Sequence, residues 1–570
     1  MVTPSNIISM SIRCTFILVG HLFFLLSSYA QTKKPNIIWI VCEDISPYLG
    51  AYGNKEIKTP NLDALAKEGV RYMRVYTAAG VCAPSRSAII TGMYPTSIGT
   101  QHMRTIGDPK FQPVPSYSAV IPDYVKCFPE YLRGAGYYCT NNEKQDYQFV
   151  PPVTVWDENG PAASFRNRPE GAPFFSVFNF FITHESQLTM RRDSLLVDSS
   201  KVSVPPIYPD TKIVRHDIAR LFTNIEIMDR QVGELINMLK ADGLYDNTII
   251  FFYSDHGGAL PWMKREILER GVHIPFIIRF PKAQKAGTIN NELISSVDFA
   301  PTILSLAGID IPAYMQGQAF LGIKKSKYPR RYVFAARDRM DTEYDRVRMV
   351  RDEHYRYLYN YMPEKPYYQE IEYRLSIPMM KEILRLRDEG KLDSIQSSWF
   401  KTKPQQELYD VDKDPFELRN LANDRAYKNK LSALKKAFQD WTKKVGDMGS
   451  LPEKQMIQQW WNGKNEPPAT DTPTVTKMAG GVKISCATKG ASIGYRIVKP
   501  MKEEVQMHII YSWDFGSLFN PSLKNGQPVK AAAVWQLYKG ELIPMSTGDT
   551  LKINALRIGY KPALKDYVYP

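Results

Sequence analysis

Cysteine is scarce in this chain, with six residues in 570. Past residue 30 the remaining ones, Cys42, Cys82, Cys127, Cys139 and Cys486, are odd in number and thinly spread. That excludes a disulfide framework, and the lack of a CxxC pair excludes a structural zinc knot. A single Cys127–Cys139 bridge stays open. Lysine–arginine blocks and basic–aromatic alternation are also missing. The net charge of +14 therefore carries no nucleic-acid footprint and leaves room only for some other anionic partner. What is present, 44% hydrophobic and 23% charged residues, describes a folded globular protein. A chain of this length needs two or three domains.

The first thirty residues read as an export signal: Arg13, an apolar stretch from Phe16 to Leu26, and Ser28-Tyr29-Ala30 before a cut. The apolar stretch is too short for a membrane span. Cys14 precedes it, which argues against a lipid anchor. The expected location is periplasmic or secreted, without membrane insertion after cleavage.

Several apolar runs are continuous rather than alternating, as in strands buried on both faces of a parallel sheet. They are Ile37–Val41, Phe174–Ile182 and Ile249–Tyr253. Between them lie helical patterns. Thr59-Pro60 opens one carrying Leu62, Leu65, Ala66 and Val70, and a longer one runs from Ile218 to Leu239 and closes near Gly243. The alternation predicts a three-layer α/β domain over 34–340. Short alternating stretches such as Val347–Arg351 predict an antiparallel sheet in a smaller α+β subdomain, assigned 341–463. A proline-rich linker at 464–473 and a small β-sandwich at 474–570 complete the expected organisation.

Each buried run ends in a polar cluster: Cys42-Glu43-Asp44, Thr183-His184-Glu185 and Ser254-Asp255-His256-Gly257. Ligands bind outside the carboxyl ends of strands in open α/β sheets, so the clusters are expected to meet in one crevice. Glu43, Asp44 and Asp255, with His256, suit a hard divalent cation such as calcium, or else cap helices and shape turns. Arg86 falls four residues after Cys82. If Pro84 opens a helix, the two share a face at its positively polarised start. Lys144 and Lys264 each follow an element that feeds the same crevice. This inventory fits an oxyanion such as sulfate or phosphate. Cys82 itself reads as a core thiol, a reactive thiolate, half of a disulfide, or the precursor of something else.

Cys82-Ala83-Pro84-Ser85-Arg86, followed by Thr91-Gly92, resembles the signature of the type I, formylglycine-dependent sulfatases of the alkaline phosphatase-like superfamily. Pro35–Asp44, Thr59–Asp63, Tyr253–Gly257, Lys264–Pro275 and Glu407–Asp410 extend the likeness over most of the chain. The last module, around Ser485–Ile493, is similar to the β-domain appended to chitobiases and hexosaminidases.

The resemblance implies that Cys82 is oxidised to formylglycine by a formylglycine-generating or anaerobic sulfatase-maturing enzyme. The hydrated aldehyde then attacks sulfur and expels sulfate with its second hydroxyl. It implies one calcium ion on Glu43, Asp44, Asp255 and His256, with the formylglycine made from Cys82 as a further metal contact. Arg86 and Lys144 would steady the formylglycine, Lys264 would hold a sulfate oxygen, and His184 would protonate the leaving alcohol or bind sulfate beside it. His102, Arg104 and Asp146 are candidate substrate contacts. Three positions depart from the family pattern. Glu43 stands for the usual Asp and His256 for the frequent Asn. Asp146 stands for the histidine that touches the aldehyde hydrate. The expected substrate is a sulfated carbohydrate. A phosphomonoester, phosphodiester or phosphonate hydrolase, and a non-catalytic glycan-binding scaffold, are the alternatives.

Overall fold

The computed structural model describes residues 34–107, 113–190, 194–500 and 534–570. The expected export signal lies outside them. Among the described residues, no helix is long and apolar enough to cross a membrane.

The strand Asn36–Cys42 explains the architecture by itself. All seven residues are buried, yet they feed different cores. Ile38, Ile40 and Cys42 join one cluster, whereas Ile37, Trp39 and Val41 join another. Successive strand residues point to opposite faces, so a strand apolar at every position must be covered on both sides. Helices supply the cover. On one side lies Lys212–Ala241, with Ile218, Leu221, Ile225, Met228, Val232 and Leu235 buried along a single stripe. Its first turn is capped by Thr211, whose side chain accepts from Val214 N–H at 3.3 Å. On the other side, Ile89 and Ile90 of Cys82–Thr91, Phe128 and Leu132 of Phe128–Gly134, and Ile303 and Leu304 of Phe299–Leu306 fill the second core. The result is the expected three-layer α/β fold.

The large sheet has eight strands. In spatial order they are Glu158–Asn159, Tyr138–Asn142, Phe174–Phe180, Asn36–Cys42, Thr248–Ser254, Phe276–Arg279, Val70–Tyr72 and Thr288–Asn290. Phe276–Arg279 runs antiparallel to both neighbours and the other pairings are parallel.

A separate antiparallel sheet joins Val333–Arg337, Val347–Arg351, Tyr355–Asn360 and Gln406–Asp410. Its first strand precedes residue 340, so the sheet begins inside the range the sequence assigns to the α/β domain. The helix Lys428–Val445 lays Leu434, Phe438 and Trp441 across it, against Phe334, Val350, Tyr357 and Leu408.

The C-terminal segment forms a three-stranded and a four-stranded sheet around Val482, Ile484, Tyr495, Ile543, Leu551 and Ile553. It grips the α/β portion through backbone groups. Lys126 Nζ donates to Gly490 O at 2.8 Å, and Arg557 donates to Ile121 O at 2.6 Å. Gly559 (φ +88) sits so close that a Cβ would lie 2.5 Å from Val120 Cα, and only glycine fits there. All five described cysteines are free, so Cys127 and Cys139 are buried thiols and not a bridge.

Candidate active site

The strand Asn36–Cys42 lies between Phe174–Phe180 and Thr248–Ser254, all parallel, with Cys42 level with Phe180 and Ser254. Whatever follows each strand therefore emerges at one edge. Glu43 and Asp44 follow the first directly. His184 and Glu185 follow the second after the single turn Phe181–Thr183, and Asp255 and His256 follow the third. Asp44 takes a left-handed backbone (φ 56), which short polar residues tolerate, and accepts from Glu185 N–H at 2.8 Å. Thr183 ties the first two strand ends together by accepting from Glu43 N–H at 3.2 Å and donating to Glu43 O.

Cys82 enters from the helix Cys82–Thr91, where it is the first helical residue and Pro84 the third. The helix thus starts two residues before the proline-first reading places it, because Val81 supplies the extended entry. Arg86 lies one turn on, on the same face as Cys82. Ser85 Oγ donates to Asp255 O at 2.5 Å and locks the helix to the strand end.

The structure brings most of the sequence-predicted residues around Cys82. Its Sγ lies 3.2 Å from His256 Nε2 and 3.8 Å from Asp44 Oδ1. His256 Nδ1 lies 3.0 Å from Gly257 O, to which it donates, so Nε2 is the ring atom that faces the acids, 2.9 Å from Asp44 and 3.8 Å from Asp255. Arg86 Nε donates to Asp255 Oδ2 at 2.9 Å, and Lys144 meets Glu43 Oε2 at 2.8 Å. Lys264 bridges Asp44 Oδ2 (2.5 Å) and Glu185 Oε1 (3.3 Å). Two sets of potential metal-ligating atoms result: Glu43, Asp44, Cys82, His184, and Asp44, Cys82, Asp255, His256.

Burial and charge set the protonation pattern. Burial pushes the Glu43 carboxyl above its ordinary range even though Lys144 and Arg86 oppose it. Burial also acts to raise Asp44, but Lys264 and the two histidines outweigh it and hold that carboxyl well below its ordinary range. His184 is pushed down to about 3 by burial and by Lys264. Ser186 N–H points at its Nδ1 from 3.3 Å, so the neutral ring carries its proton on Nε2. Burial would lower His256, yet Asp255, Cys82 and Asp44 raise it to about 10.

A cavity of about 550 Å³ opens over this cluster, lined by Cys82, Lys144, His184 and Lys264 at its floor. Arg104, Asp146 and Tyr373 are also part of its lining. Arg104 pairs with Asp341 and lies over the Tyr373 ring at 4.8 Å. His102 is not among the lining residues. It is buried, and its Nδ1 faces Arg339 N–H at 3.3 Å, so it braces the loop that carries Arg104.

Sequence reasoning missed four contributors. Asn179 accepts from Arg86 Nη1 at 2.8 Å, and it sits inside an apolar run where its polarity was the available signal. Glu185 holds Arg265 through two bonds of 2.7 and 2.8 Å; it stood in the quoted Thr183-His184-Glu185 cluster. Asp341 and Tyr373 come from remote segments and carry no local signal.

The chain matches known proteins over most of its length. The model described as Sulfatase matches residues 35–190 and 161–309, and that of the N-sulphoglucosamine sulphohydrolase C-terminal region matches 258–444. An ulvan-active sulfatase of Formosa agariphila is 45% identical over 568 residues, covering 93% of this chain and 90% of that protein. N-sulphoglucosamine sulphohydrolase of Homo sapiens is 24% identical, covering 72% and 90%. Among solved structures, a 2-O GAG sulfatase shares 21% identity and a TM-score of 0.54, covering 74% of this chain and 94% of that one. A phosphonate monoester hydrolase from Silicibacter pomeroyi gives 17% and 0.54, covering 73% and 96%. At such identities the structural likeness concerns the fold.

Proposed function

Because this chain belongs to the sulfatase family and is a sulfuric ester hydrolase, we propose that it is an exported enzyme removing sulfate esters from carbohydrate, with Cys82 converted to formylglycine and one calcium ion in its site. The observation that carries this reading is a pair of unmet bonds among crowded charges. Five carboxylates, Glu43, Asp44, Asp146, Glu185 and Asp255, crowd together with Arg86, Lys144, Lys264, Arg265 and His256. Glu43 Oε1 and Arg86 Nη2 are buried and lack any hydrogen-bond partner. An orphaned carboxylate oxygen beside clustered ligand atoms is a place that a divalent cation would complete.

Glu43, Asp44, Asp255 and His256 Nε2 are the donors for that cation. Three carboxylates with one imidazole suit a hard ion such as calcium. When bound, calcium supplies Lewis acidity toward a sulfate oxygen. The hydrated aldehyde of formylglycine supplies a nucleophilic hydroxyl and a second hydroxyl that permits sulfate release. The chain's own side chains do the rest. Arg86 and Lys144 hold the hydroxyl groups on residue 82, Lys264 binds a sulfate oxygen, and His184 presents Nε2–H toward the leaving oxygen. Tyr373 and Arg104 wall the cavity against water. The segments 34–340, 341–463 and 474–570 act as catalytic portion, C-terminal subdomain and appended module. The N-terminal thirty residues direct export.

The similarity to the Formosa enzyme makes ulvan fragments the first substrate to test. Matured protein incubated with ulvan, glycosaminoglycan fragments, an aryl sulfate and the matching aryl phosphate and phosphonate should release sulfate in preference to phosphate. Faster phosphate or phosphonate release would overturn the reading. Replacing Cys82 by Ala should lower sulfate release about 10⁴-fold or more with the fold intact. Mass spectrometry of the Cys82 peptide from the native host should find the aldehyde and not the thiol.

A further inference from the structure

The cavity is built in two parts that differ in chemistry. At its floor, Lys144 and Lys264 each face a carboxylate of the site, and Arg86 pairs with Asp255 behind them. Nearer the surface, the lining changes to Ile106, Val150, Pro151, Phe181 and Tyr373. Most large hydrophobic side chains of the described chain are buried, yet three of these are open to solvent: Val150 at 53%, Ile106 at 43% and Phe181 at 41%. Apolar side chains left exposed around one concave site mark a binding surface.

Phe181 is the best-placed of them. Its ring stacks on His184 with centroids 4.8 Å apart and planes 19° from parallel. One face of the ring is thus against the imidazole whose Nε2–H serves the leaving oxygen, Lys144 Nζ lies 5.8 Å from the ring centroid, and the rest of the ring stays open to the cavity. A pyranose ring offers a matching surface, the face formed by its axial C–H bonds.

The charges of the mouth point the same way. Among the described residues Arg104 is its cation beyond the floor, and its guanidinium is paired with Asp341, a buried carboxylate. Both residues hold left-handed backbones, φ 55 and 52, which the surrounding structure must enforce. Asp146 adds a carboxylate at the cavity wall, 3.5 Å from Lys144 and also in a left-handed conformation (φ 46). Among the described residues the mouth therefore has no surplus positive charge to receive a second anionic group, and Asp146 adds a carboxylate to its wall.

We infer that the mouth of the cavity seats a neutral sugar residue by its C–H face, against Phe181 and Val150, and rejects a carboxylated one through Asp146. This deepens the sulfatase reading and rests on it for the position of the sulfate. Phe181 and Asp146 are specificity-determining residues: one supplies a surface complementary to the favoured sugar, the other a like charge against the disfavoured one.

The test uses the full-length chain carrying Cys82→Ser, with calcium present, so that binding is read without turnover. The probes are paired methyl glycosides bearing sulfate at the same ring position, identical except for hydroxymethyl or carboxylate at C5, across each sulfate position in turn. Calorimetry should find the neutral glycoside bound about tenfold more tightly. Asp146→Asn should tighten the carboxylated probe about tenfold and change the neutral one by less than about twofold. Phe181→Ala should weaken the neutral probe about five- to tenfold, and Phe181→Leu, which keeps the bulk without the flat face, about half as much on a logarithmic scale. Melting curves establish that each variant is folded. Equal or tighter binding of the carboxylated probe, an unchanged ratio in Asp146→Asn, or no binding of either probe overturns the inference. Turnover of an aryl sulfate by matured wild-type protein is measured separately. Its absence alongside a clear neutral preference would strike the activity reading and leave the mouth's selectivity standing.

Discussion

Two buried arginine–glutamate pairs in this molecule use the same chemistry to opposite ends. Arg339 meets Glu453 through two bonds of 2.6 and 2.7 Å. Tyr117 and Tyr344 donate to the same carboxylate, and the guanidinium reaches Met103 O as well. Burial raises the Glu453 carboxyl, but the Arg339 bonds outweigh it and hold the group at about 2. Arg86 and Glu43 stand 3.8 Å apart, each with an atom lacking a hydrogen bond, and the Glu43 carboxyl moves up instead of down. The saturated pair is scaffold. The unsaturated pair lies among the potential metal-ligating atoms of the site. Counting buried charges would not separate them; counting their unmet bonds does.

The largest test of this contrast is Glu453→Gln, which leaves Arg339 buried without a counter-charge. It should cost about 3–5 kcal/mol of stability by chemical denaturation, while sulfate release per folded molecule stays near wild type. Glu43→Gln should behave in the reverse way. In metal-stripped protein its stability should fall within about 1 kcal/mol of wild type. The calcium-induced rise in Tm should disappear and sulfate release should drop about 10- to 100-fold. If Glu43→Gln destabilises the metal-free protein as strongly as Glu453→Gln does, the distinction between the pairs collapses.

The pairs should also differ in acid. Glu453 is depressed from 4.5 to about 2, so its contribution is fully present above pH 4.5 and is lost as pH falls toward 2. That loss amounts to about 3 kcal/mol and should be absent from Glu453→Gln. Denaturation curves between pH 5 and 2 measure it. The smallest expected effect is Tyr344→Phe, which removes one bond to Glu453 and should cost about 1 kcal/mol, with no change in calcium binding.

The contrast also explains what could be read from the sequence. The three strand ends were legible because buried parallel strands are apolar at every position, and their polar successors therefore stand out. Lys144 and Lys264 were legible because each closely follows such an element. His102 and Arg104 looked equivalent, yet the chain turns between them so that one faces the cavity and the other the scaffold. Asp341 and Tyr373 reach Arg104 from 237 and 269 positions away. No local pattern announces a partner at that distance. The saturation that separates Arg339 from Arg86 is likewise a property of packing and not of residue type.

The grip of the C-terminal sheets on residues 120 and 121 has a consequence for how the molecule breathes. Ala119 N–H donates to Gln148 O at 2.8 Å and Val150 N–H to Ser118 Oγ at 3.0 Å, so the segment held by Arg557 and Gly559 is the backing of the cavity wall. Wall, backing and module are thus joined by a continuous run of hydrogen bonds and close contacts. A sugar lodged in the cavity should slow hydrogen exchange in strands such as Thr550–Leu556, although none of their side chains lines it. The terminal module is in this sense a distant reporter of the cavity's occupancy, written in amide protection and not in contact.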